Sequence, residues 1–279
     1  MLMSTQANRY AHQLLEARAK TQLMPPLTSA AALSLADAYE VSKHILDIRI
    51  AQGEVPVGRK IGFTNRNLWP KYGLAEPIGA PIWGSMFDTT VRYAKDNHGI
   101  QSLAGALQPR IEPEIVFRLG KTPTPGMSPE ALAGCIEWMA HGLEIVICPF
   151  PEWKFEAADA VAAFGLHGAL IIGEPQPLTA ASRRTLSDVL ADASVSLSCG
   201  DTLQAAGFGS DVLDSPVQAL WHLHQVLQVQ SPKLGFAPLA AGEIITTGTW
   251  TDAYPVAAGE TWITAFSGVG LPGLTLSFV

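Results

Sequence analysis

The sequence predicts an α+β protein, in which an N-terminal helical layer precedes a β-rich body. Apolar residues recur at helical spacing up to Gly53, whereas from Val55 onward short apolar or alternating runs are bounded by Gly, Pro, Asn and Asp. The 279 residues are 48% hydrophobic and 15% charged, which suffices for a globular core without disulfides. We therefore expect a helical segment over 1–54 and a β-rich domain over 55–279.

Two helices are predicted in the N-terminal segment. The first covers 4–22, where alanines and leucines recur near helical spacing, and the Pro25-Pro26 pair follows it. The second opens at Ser34, which is a typical N-cap with Asp37 three residues later, and it ends at Gly53.

The body is predicted to contain nine strands and two helices. The helices cover 128–139 and 214–228, the latter opened by Ser215-Pro216. Irregular spacing argues against internal repeats, and without a linker we expect one body. The predicted strands are 59–63, 80–83, 110–118, 142–148, 166–173, 194–199, 243–247, 261–266 and 274–279.

Charge and cysteine content narrow the class of protein. The net charge is −7 and there is no basic cluster longer than Arg183-Arg184, which disfavours a nucleic-acid partner. Cys135, Cys148 and Cys199 show no C-x-x-C spacing, which fits a reducing compartment. No apolar run approaches the roughly 20 residues that span a bilayer, and Met1–Tyr10 lacks a signal-peptide pattern. We expect a cytoplasmic protein that acts on a small molecule and binds no membrane.

Glu112 and Glu114 form a carboxylate pair inside a strand-like run. Alternate side chains of an extended chain share a face, so both glutamates point one way while apolar neighbours point the other. Like charges among apolar groups need a cation or several donors, and oxygen-rich sites suit Mg²⁺ or Mn²⁺. The alternative is a solvated strand edge that pairs with Arg110 or Arg118.

Glu144 is a third candidate, because it interrupts an otherwise apolar strand. A lone ionised group in such a strand needs a partner, and one metal site would serve all three carboxylates. Spacing alone does not show that Glu144 reaches Glu112 and Glu114.

Lys60 is the candidate acid/base residue, since it lies in a strand-like run with a glycine on either side. Close to a metal, a partly buried lysine has its pKa lowered into the range of general acid/base catalysis. The alternative is an exposed strand lysine with Arg59 on the opposite face.

Two weaker signals come from hydroxyls and a histidine. A glycine turn with Thr249 and Thr251 follows a strand and offers donors to a carboxylate, although plain hairpins share this pattern. His167 is either an acid/base residue or a satisfied core histidine. Neither a phosphate-binding glycine loop nor a G-x-S-x-G turn is present, which disfavours nucleotide cofactors and serine nucleophiles.

Several stretches together resemble the 2-keto-4-pentenoate hydratases and 4-oxalocrotonate decarboxylases of aromatic meta-cleavage pathways, within the fumarylacetoacetate hydrolase superfamily. The glutamate triplet with the lysine is the specific part of the resemblance. The matching stretches, in family order, are Lys60–Thr64, Pro109–Glu114, Leu143-Glu144, Gly168–Gly173, Leu213–Leu227 and Leu239–Val256.

The resemblance implies a mixed β-roll with Mg²⁺ or Mn²⁺ held at Glu112, Glu114 and Glu144. It implies that Lys60 assists proton transfer and that the cation binds the carboxylate and the C2 oxygen of a 2-hydroxydienoate or 2-keto acid. A cation at that oxygen stabilises an enolate, which serves either water addition or decarboxylation. We accordingly predict metal-binding and catalysis in the β-rich domain, with Thr249, Thr251, Phe164 and His167 binding substrate.

Two departures from the family pattern concern acidic and polar residues. Gly84-Ser85 stands where the hydratases usually carry an acidic pair, with Asp88 displaced, and Ala163-Phe164 stands where they usually read Asp-Asn. These replacements indicate a more apolar pocket.

We predict a metal-dependent hydratase of aromatic catabolism that forms a homo-oligomer. Three alternatives stay open: a 2-keto acid decarboxylase, a carbon–carbon bond hydrolase, for which His44 lacks the matching motif, and a non-catalytic 2-keto acid binding homologue.

Overall fold

The computed structural model describes residues 4–66 and 81–279. Its helices are α1 (Ser4–Ala19), α2 (Leu35–Ala51), α3 (Pro129–Ala133), α4 (Ala157–Ala162), α5 (Ala180–Arg184), α6 (Leu186–Asp192) and α7 (Pro216–Leu234). Its strands are β1 (Pro56–Gly62), β2 (Ile82–Phe87), β3 (Val91–Tyr93), β4 (His98–Gln101), β5 (Arg110–Leu119), β6 (Ile136–Val146), β7 (His167–Ile172), β8 (Gln176–Pro177), β9 (Ser194–Cys199), β10 (Thr202–Phe208), β11 (Ile244–Thr249), β12 (Tyr254–Pro255), β13 (Thr261–Ser267) and β14 (Thr275–Phe278).

The strands form two mixed sheets, so the predicted α+β class with a mixed β-roll body is confirmed. The larger sheet follows the order β2-β1-β11-β5-β6-β7-β3, with β12 added beside β5 and β8 beside β6. The smaller sheet follows the order β10-β9-β13-β14-β4. Its inner face packs on the larger sheet through a shared apolar cluster that includes Ile111, Leu143 and Trp262.

The N-terminal helices pack into the main core. Apolar residues of α1 and α2 share one buried cluster with β1, β5 and α7. The predicted cap of α2 is present as a reciprocal box, in which the Ser34 hydroxyl accepts from the backbone N–H of Asp37 and the Asp37 carboxylate accepts from that of Ser34. Tyr39 stacks on Trp83 of β2 with ring centroids 5.4 Å apart, which joins helix and sheet.

The helix predicted over 128–139 is correct only in its first half. Ser128 caps α3 as expected, but α3 ends at Ala133 with Gly134 as its C-cap. The chain then enters β6, whose residues pair with β5 along almost its whole length. Long-range pairing with β5 therefore outweighs the helix propensity of the local sequence.

Other boundaries differ less. The helix predicted over 214–228 extends as α7 to Leu234, and residue 80 of the strand predicted over 80–83 lies outside the described residues. The prediction missed the strands β3, β4, β8, β10 and β12 and the helices α4, α5 and α6. In the described part of the chain, no helix combines the length and apolar character needed to cross a membrane.

Candidate metal centre

The pairing of β5 with β6 brings the three glutamates together. Glu112 lies directly opposite Glu144 in the antiparallel register, and Glu114 lies opposite Gly142. Because directly opposed residues share a face of the sheet, all three carboxylates project to one side. One carboxylate oxygen from each of them lies within 4.8 Å of the others. The pairing of β5 with β6 therefore places Glu144 beside Glu112 and Glu114, which the spacing of these residues in the sequence could not show.

Glu114 is buried and only partly hydrogen-bonded. Its side chain is 1% exposed, and its Oε2 accepts a 2.7 Å hydrogen bond from the backbone N–H of Gly248. Its Oε1 is buried and has no hydrogen-bond partner within residues 4–66 and 81–279. A buried carboxylate oxygen without a donor is strongly disfavoured, so this geometry fits a site whose cation completes it.

Gly248 reaches Glu114 because β11 is irregular at this point. The register of β11 against β5 shifts between Thr246 and Thr249, which is typical of a β-bulge. Gly248 has a φ of +100°, and a Cβ there would lie 1.8 Å from Thr64 Oγ1. Only glycine fits both the backbone conformation and the space.

Lys60 lies on β1, close to the carboxylates. Its Nζ is 3.2 Å from Glu144 Oε2, and its side chain is 4% exposed. Burial alone would lower the pKa of Lys60, but the charges of Glu144, Glu112 and Glu114 together raise it above its ordinary value. With no metal bound, Lys60 is therefore the protonated partner of this cluster.

Glu144 is the carboxylate that remains ionised. Burial would raise its pKa, but the charge of Lys60 and the hydrogen bond from His167 hold that pKa at about 2. His167 Nδ1 lies 2.7 Å from Glu144 Oε1, and His167 Nε2 lies 2.9 Å from Thr90 Oγ1. A carboxylate only accepts hydrogen bonds, so His167 carries its proton on Nδ1 and donates it to Glu144.

The other two glutamates hold their protons more tightly. Burial and the charge of Glu144 raise the pKa of Glu114 well above its ordinary value. Burial raises the pKa of Glu112 to about 7, although Lys60 opposes that shift. Without a divalent cation, Glu112 and Glu114 therefore cannot both ionise readily beside Glu144.

A pocket lies beside this cluster, and its lining combines polar and apolar side chains. Lys60, Glu112, Thr64 and Thr249 line it, and the buried Oγ1 of Thr64 has no hydrogen-bond partner among the described residues. The remaining lining residues are Ile61, Gly62, Phe63, Asn65, Ile82, Val146, Trp153, Phe155, Gly165 and Leu166.

Sequence reasoning missed most of that wall. Trp153 and Phe155 come from the segment between β6 and α4, and no spacing signal links them to β5. Arg110 is the one sequence feature that could have pointed to this wall, because it lies two residues before Glu112 on the same strand. Its guanidinium lies 4.1 Å from the centre of the Trp153 ring.

The structure brings some predicted substrate residues to the pocket and not others. Thr249 lines it. Thr251 Oγ1 instead donates to the carbonyl of Asp252, and His167 holds Glu144. The centre of the Phe164 ring lies 4.7 Å from the Arg18 guanidinium, and Phe164 is not among the residues that line the pocket. Of the segment that holds Phe164 and His167, only Gly165 and Leu166 face the pocket.

Comparisons with known proteins match most of the chain. The family model for the fumarylacetoacetate (FAA) hydrolase C-terminal domain matches residues 82–271. A 2-hydroxyhexa-2,4-dienoate hydratase from Comamonas testosteroni is 30% identical over 260 residues, which are 92% of each chain. A 4-oxalocrotonate decarboxylase from a Pseudomonas species is 27% identical, with 90% of this chain and 91% of the relative covered.

Solved structures show the same fold. A 4-oxalocrotonate decarboxylase from Pseudomonas putida G7, complexed with magnesium and adipate, superposes with a TM-score of 0.87 at 23% identity. That match covers 100% of this chain and 99% of the decarboxylase. Together with the family model and the full-length relatives, it shows that the chain belongs to the fumarylacetoacetate hydrolase family.

Proposed function

We propose that this protein is a divalent-metal-dependent lyase that adds water to a 2-hydroxy-2,4-dienoate. The observation that supports it most strongly is the cluster of Glu112, Glu114 and Glu144 beside Lys60, in which Lys60 and Glu112 line a pocket. Full-length relatives named as dienoate hydratases support the same reaction class. The family resemblance implies that this reaction belongs to the breakdown of aromatic compounds.

The three glutamates would hold Mg²⁺ or Mn²⁺. An all-carboxylate donor set suits these hard cations, and the partnerless Oε1 of Glu114 supplies a free ligand atom. The bound cation would polarise the carboxylate and the C2 oxygen of the substrate and so favour the enolate form. His167 would keep Glu144 ionised and oriented, which is the usual role of a partner behind a metal ligand.

Lys60 would move the proton in this reaction. Its Nζ faces the same end of the pocket as the glutamates, within reach of a substrate bound there. Once a cation offsets the charges of the glutamates, burial would dominate and the pKa of Lys60 would fall. The ammonium would then release a proton to the substrate carbon and recover it from the attacking water.

The pocket wall supports a substrate with an apolar tail. The Thr64 hydroxyl would be the donor to the substrate carboxylate, whereas the Thr249 hydroxyl already donates to the carbonyl of Thr251. Trp153, Phe155 and Leu166 offer apolar or aromatic surface to the rest of the substrate. Thr251 and Phe164 would support this wall from outside the lining. The apolar wall excludes bulk water and so strengthens the electrostatic interactions at the polar end.

The test is the loss of dienoate absorbance with Mg²⁺ or Mn²⁺, before and after chelation. We expect turnover that stops with EDTA and returns with metal, and Lys60→Met should lower kcat by roughly 10²-fold or more. Lys20→Met, which removes an exposed lysine just after α1, should leave the rate unchanged. Turnover that persists without metal would contradict the proposed mechanism.

Decarboxylation of a 2-keto diacid is the second candidate, and Arg110 is the observation that favours it. Its half-buried guanidinium stacks on Trp153 of the pocket wall, where a second carboxylate would need a cation. Release of CO₂ from the diacid, lost in Arg110→Met while dienoate hydration persists, would identify this activity.

We also propose that the protein forms a homo-oligomer and works in the cytoplasm. The outer face of the smaller sheet exposes Ile100, Leu203, Phe208 and Ile263, among Ser and Thr residues. Contiguous exposed apolar residues are typical of an interaction surface. Three free cysteines fit a reducing compartment. Light scattering after size-exclusion chromatography, with Phe208→Asp as the disrupting variant, tests the assembly.

A further inference from the structure

The turn at residues 163–166 connects α4 to β7, and together with the first two residues of β7 it forms part of both the pocket wall and the metal centre. Gly165 and Leu166 line the pocket, and His167 hydrogen-bonds to Glu144. Phe164, Gly165 and Leu166 all have φ between +61° and +64°. Left-handed backbone at a non-glycine residue costs about 1–2 kcal/mol, so the surrounding structure must hold this turn in place.

Arg18 of α1 contacts both ends of that turn. Its Nη1 donates a 2.8 Å hydrogen bond to the carbonyl of His167, and its Nη2 donates a 3.3 Å bond to that of Gly168. At the other end of the turn, the ring of Phe164 lies 4.7 Å from the same guanidinium. Burial, with repulsion from Arg49, lowers the pKa of Arg18 to about 10, so it stays charged at neutral pH.

The opposite side of the turn leaves little room for movement. A Cβ at Gly84 of β2 would lie 2.4 Å from the carbonyl oxygen of Phe164, so strand and turn are in direct contact. Arg49 of α2 packs at 3.8 Å over Phe87 and at 5.7 Å over Phe164. The turn is therefore enclosed between β2 and the two N-terminal helices, and Arg18 is its polar attachment to α1.

We infer that Arg18 is a positioning residue for the metal centre, acting through the backbone of His167 on the carboxylate of Glu144. This assignment makes α1 part of the site, although it lies outside the β-rich body. It deepens the proposed function, because it takes Glu144 to be a metal ligand. Partners behind metal ligands typically change metal affinity by 10- to 100-fold when removed.

The test compares Arg18→Met and Arg18→Lys with the control Arg9→Met. Arg9 is an exposed residue of the same helix, and its ring contact is with Tyr10, so its removal leaves the contacts of the turn intact. Mn²⁺ affinity is measured by titration calorimetry. We expect Arg18→Met to weaken Mn²⁺ binding about 10-fold. Arg18→Lys keeps one cationic donor and should recover part of that loss, and Arg9→Met should match wild type.

A second readout does not depend on metal. The ¹⁵N–¹H signal of His167 Nδ1, assigned with His167→Gln, reports the hydrogen bond to Glu144. It should shift in metal-free Arg18→Met and remain in place in Arg9→Met. An unchanged signal together with unchanged Mn²⁺ affinity would overturn the inference.

If wild type itself binds no Mn²⁺, the proposed metal function fails, and the His167 signal alone then decides the role of Arg18. If Arg18→Met does not fold, Arg18→Lys and Arg18→Gln provide the same two measurements.

Discussion

Glu114 carries a buried carboxylate that receives one hydrogen bond from Gly248 and has one oxygen without a partner among the described residues. Glu114→Gln keeps the size of the side chain but removes the charge that a hard cation prefers. In EDTA at neutral pH we expect its melting temperature to rise by roughly a few degrees, because Glu114 must take up a proton on folding beside Glu144 and the neutral amide need not. The further rise that Mn²⁺ gives the wild type should be lost.

The control for this comparison is Glu137→Gln. Glu137 lies on the neighbouring strand β6, is exposed, and pairs with Arg118 on the surface. It should lose at most about 1 kcal/mol of stability and keep the full metal response. Equal metal-induced shifts in wild type and Glu114→Gln would refute the assignment of Glu114 as a ligand.

Glu112 makes a pH-dependent contribution to the stability of the metal-free protein. Its pKa is raised to about 7, so the folded state binds a proton that the unfolded state releases near pH 4.5. The bound proton therefore stabilises the folded state fully below pH 4.5, and this stabilisation is lost as the pH rises through about 7. In EDTA, the melting temperature of Glu112→Gln minus that of wild type should grow from pH 5 to pH 8. A difference that is constant with pH would contradict the raised pKa.

These residue-scale features were only partly predictable. Strand alternation correctly placed Glu112 and Glu114 on one face, because a period of two is a local property of the chain. Thr64 and His167 were harder to assign. Thr64 meets Gly248 of the distant strand β11, and His167 meets Glu144 only through strand pairing.

At the scale of elements, β2 and the turn after α4 are in close backbone contact beside the pocket. A Cβ at Gly84 would lie 2.4 Å from the Phe164 carbonyl oxygen, and backbone on both sides prevents easy relief. Gly84→Ala should destabilise the protein by about 1–3 kcal/mol and also weaken Mn²⁺ binding, because the displaced turn leads into His167.

Gly270→Ala is the matched control, since nothing lies within 4 Å of a Cβ at that position and its φ is not positive. It should leave stability within about 0.5 kcal/mol of wild type. Urea denaturation and Mn²⁺ titration of both variants measure the effects. Wild-type stability in Gly84→Ala would show that the turn moves freely.

Gly84 also gives a physical account of one departure from the family pattern, because an acidic side chain would not fit at this position.

Element boundaries show where local signals fail. The segment 128–139 has helix-forming residues, yet only Pro129–Ala133 is helical and β6 begins at Ile136. Pairing with β5 provides hydrogen bonds along ten registered positions, from Arg110 to Leu119. Such pairing depends on residues far apart in sequence, and a local pattern contains no information about it.

At the scale of the whole molecule, the N-terminal segment 1–54 and the body 55–279 share one core. The Asp159 carboxylate of α4 accepts from both the N–H and the hydroxyl of Thr28, and the Met24 N–H donates to the carbonyl of Pro149. Removing 1–54 would expose the apolar surface that α1 and α2 now cover.

We therefore expect the fragment 55–279 to lack a cooperative thermal transition and to bind Mn²⁺ much more weakly than the full chain. Differential scanning calorimetry and Mn²⁺ titration of the fragment test this expectation. A fragment that melts cooperatively near the wild-type temperature and binds Mn²⁺ normally would show that the two segments fold independently.

The sequence by itself determined the α+β class, the helical start, the strand β5 and the carboxylate pair on its face, because periodicity and composition are local properties. It also contained the motifs by which the family is recognised. Only the tertiary structure decided that Glu144 faces Glu112, that Lys60 reaches both, and that Arg18 contacts the turn before His167. Those contacts join residues up to 150 positions apart. They follow from strand register and helix packing, which the whole chain determines together.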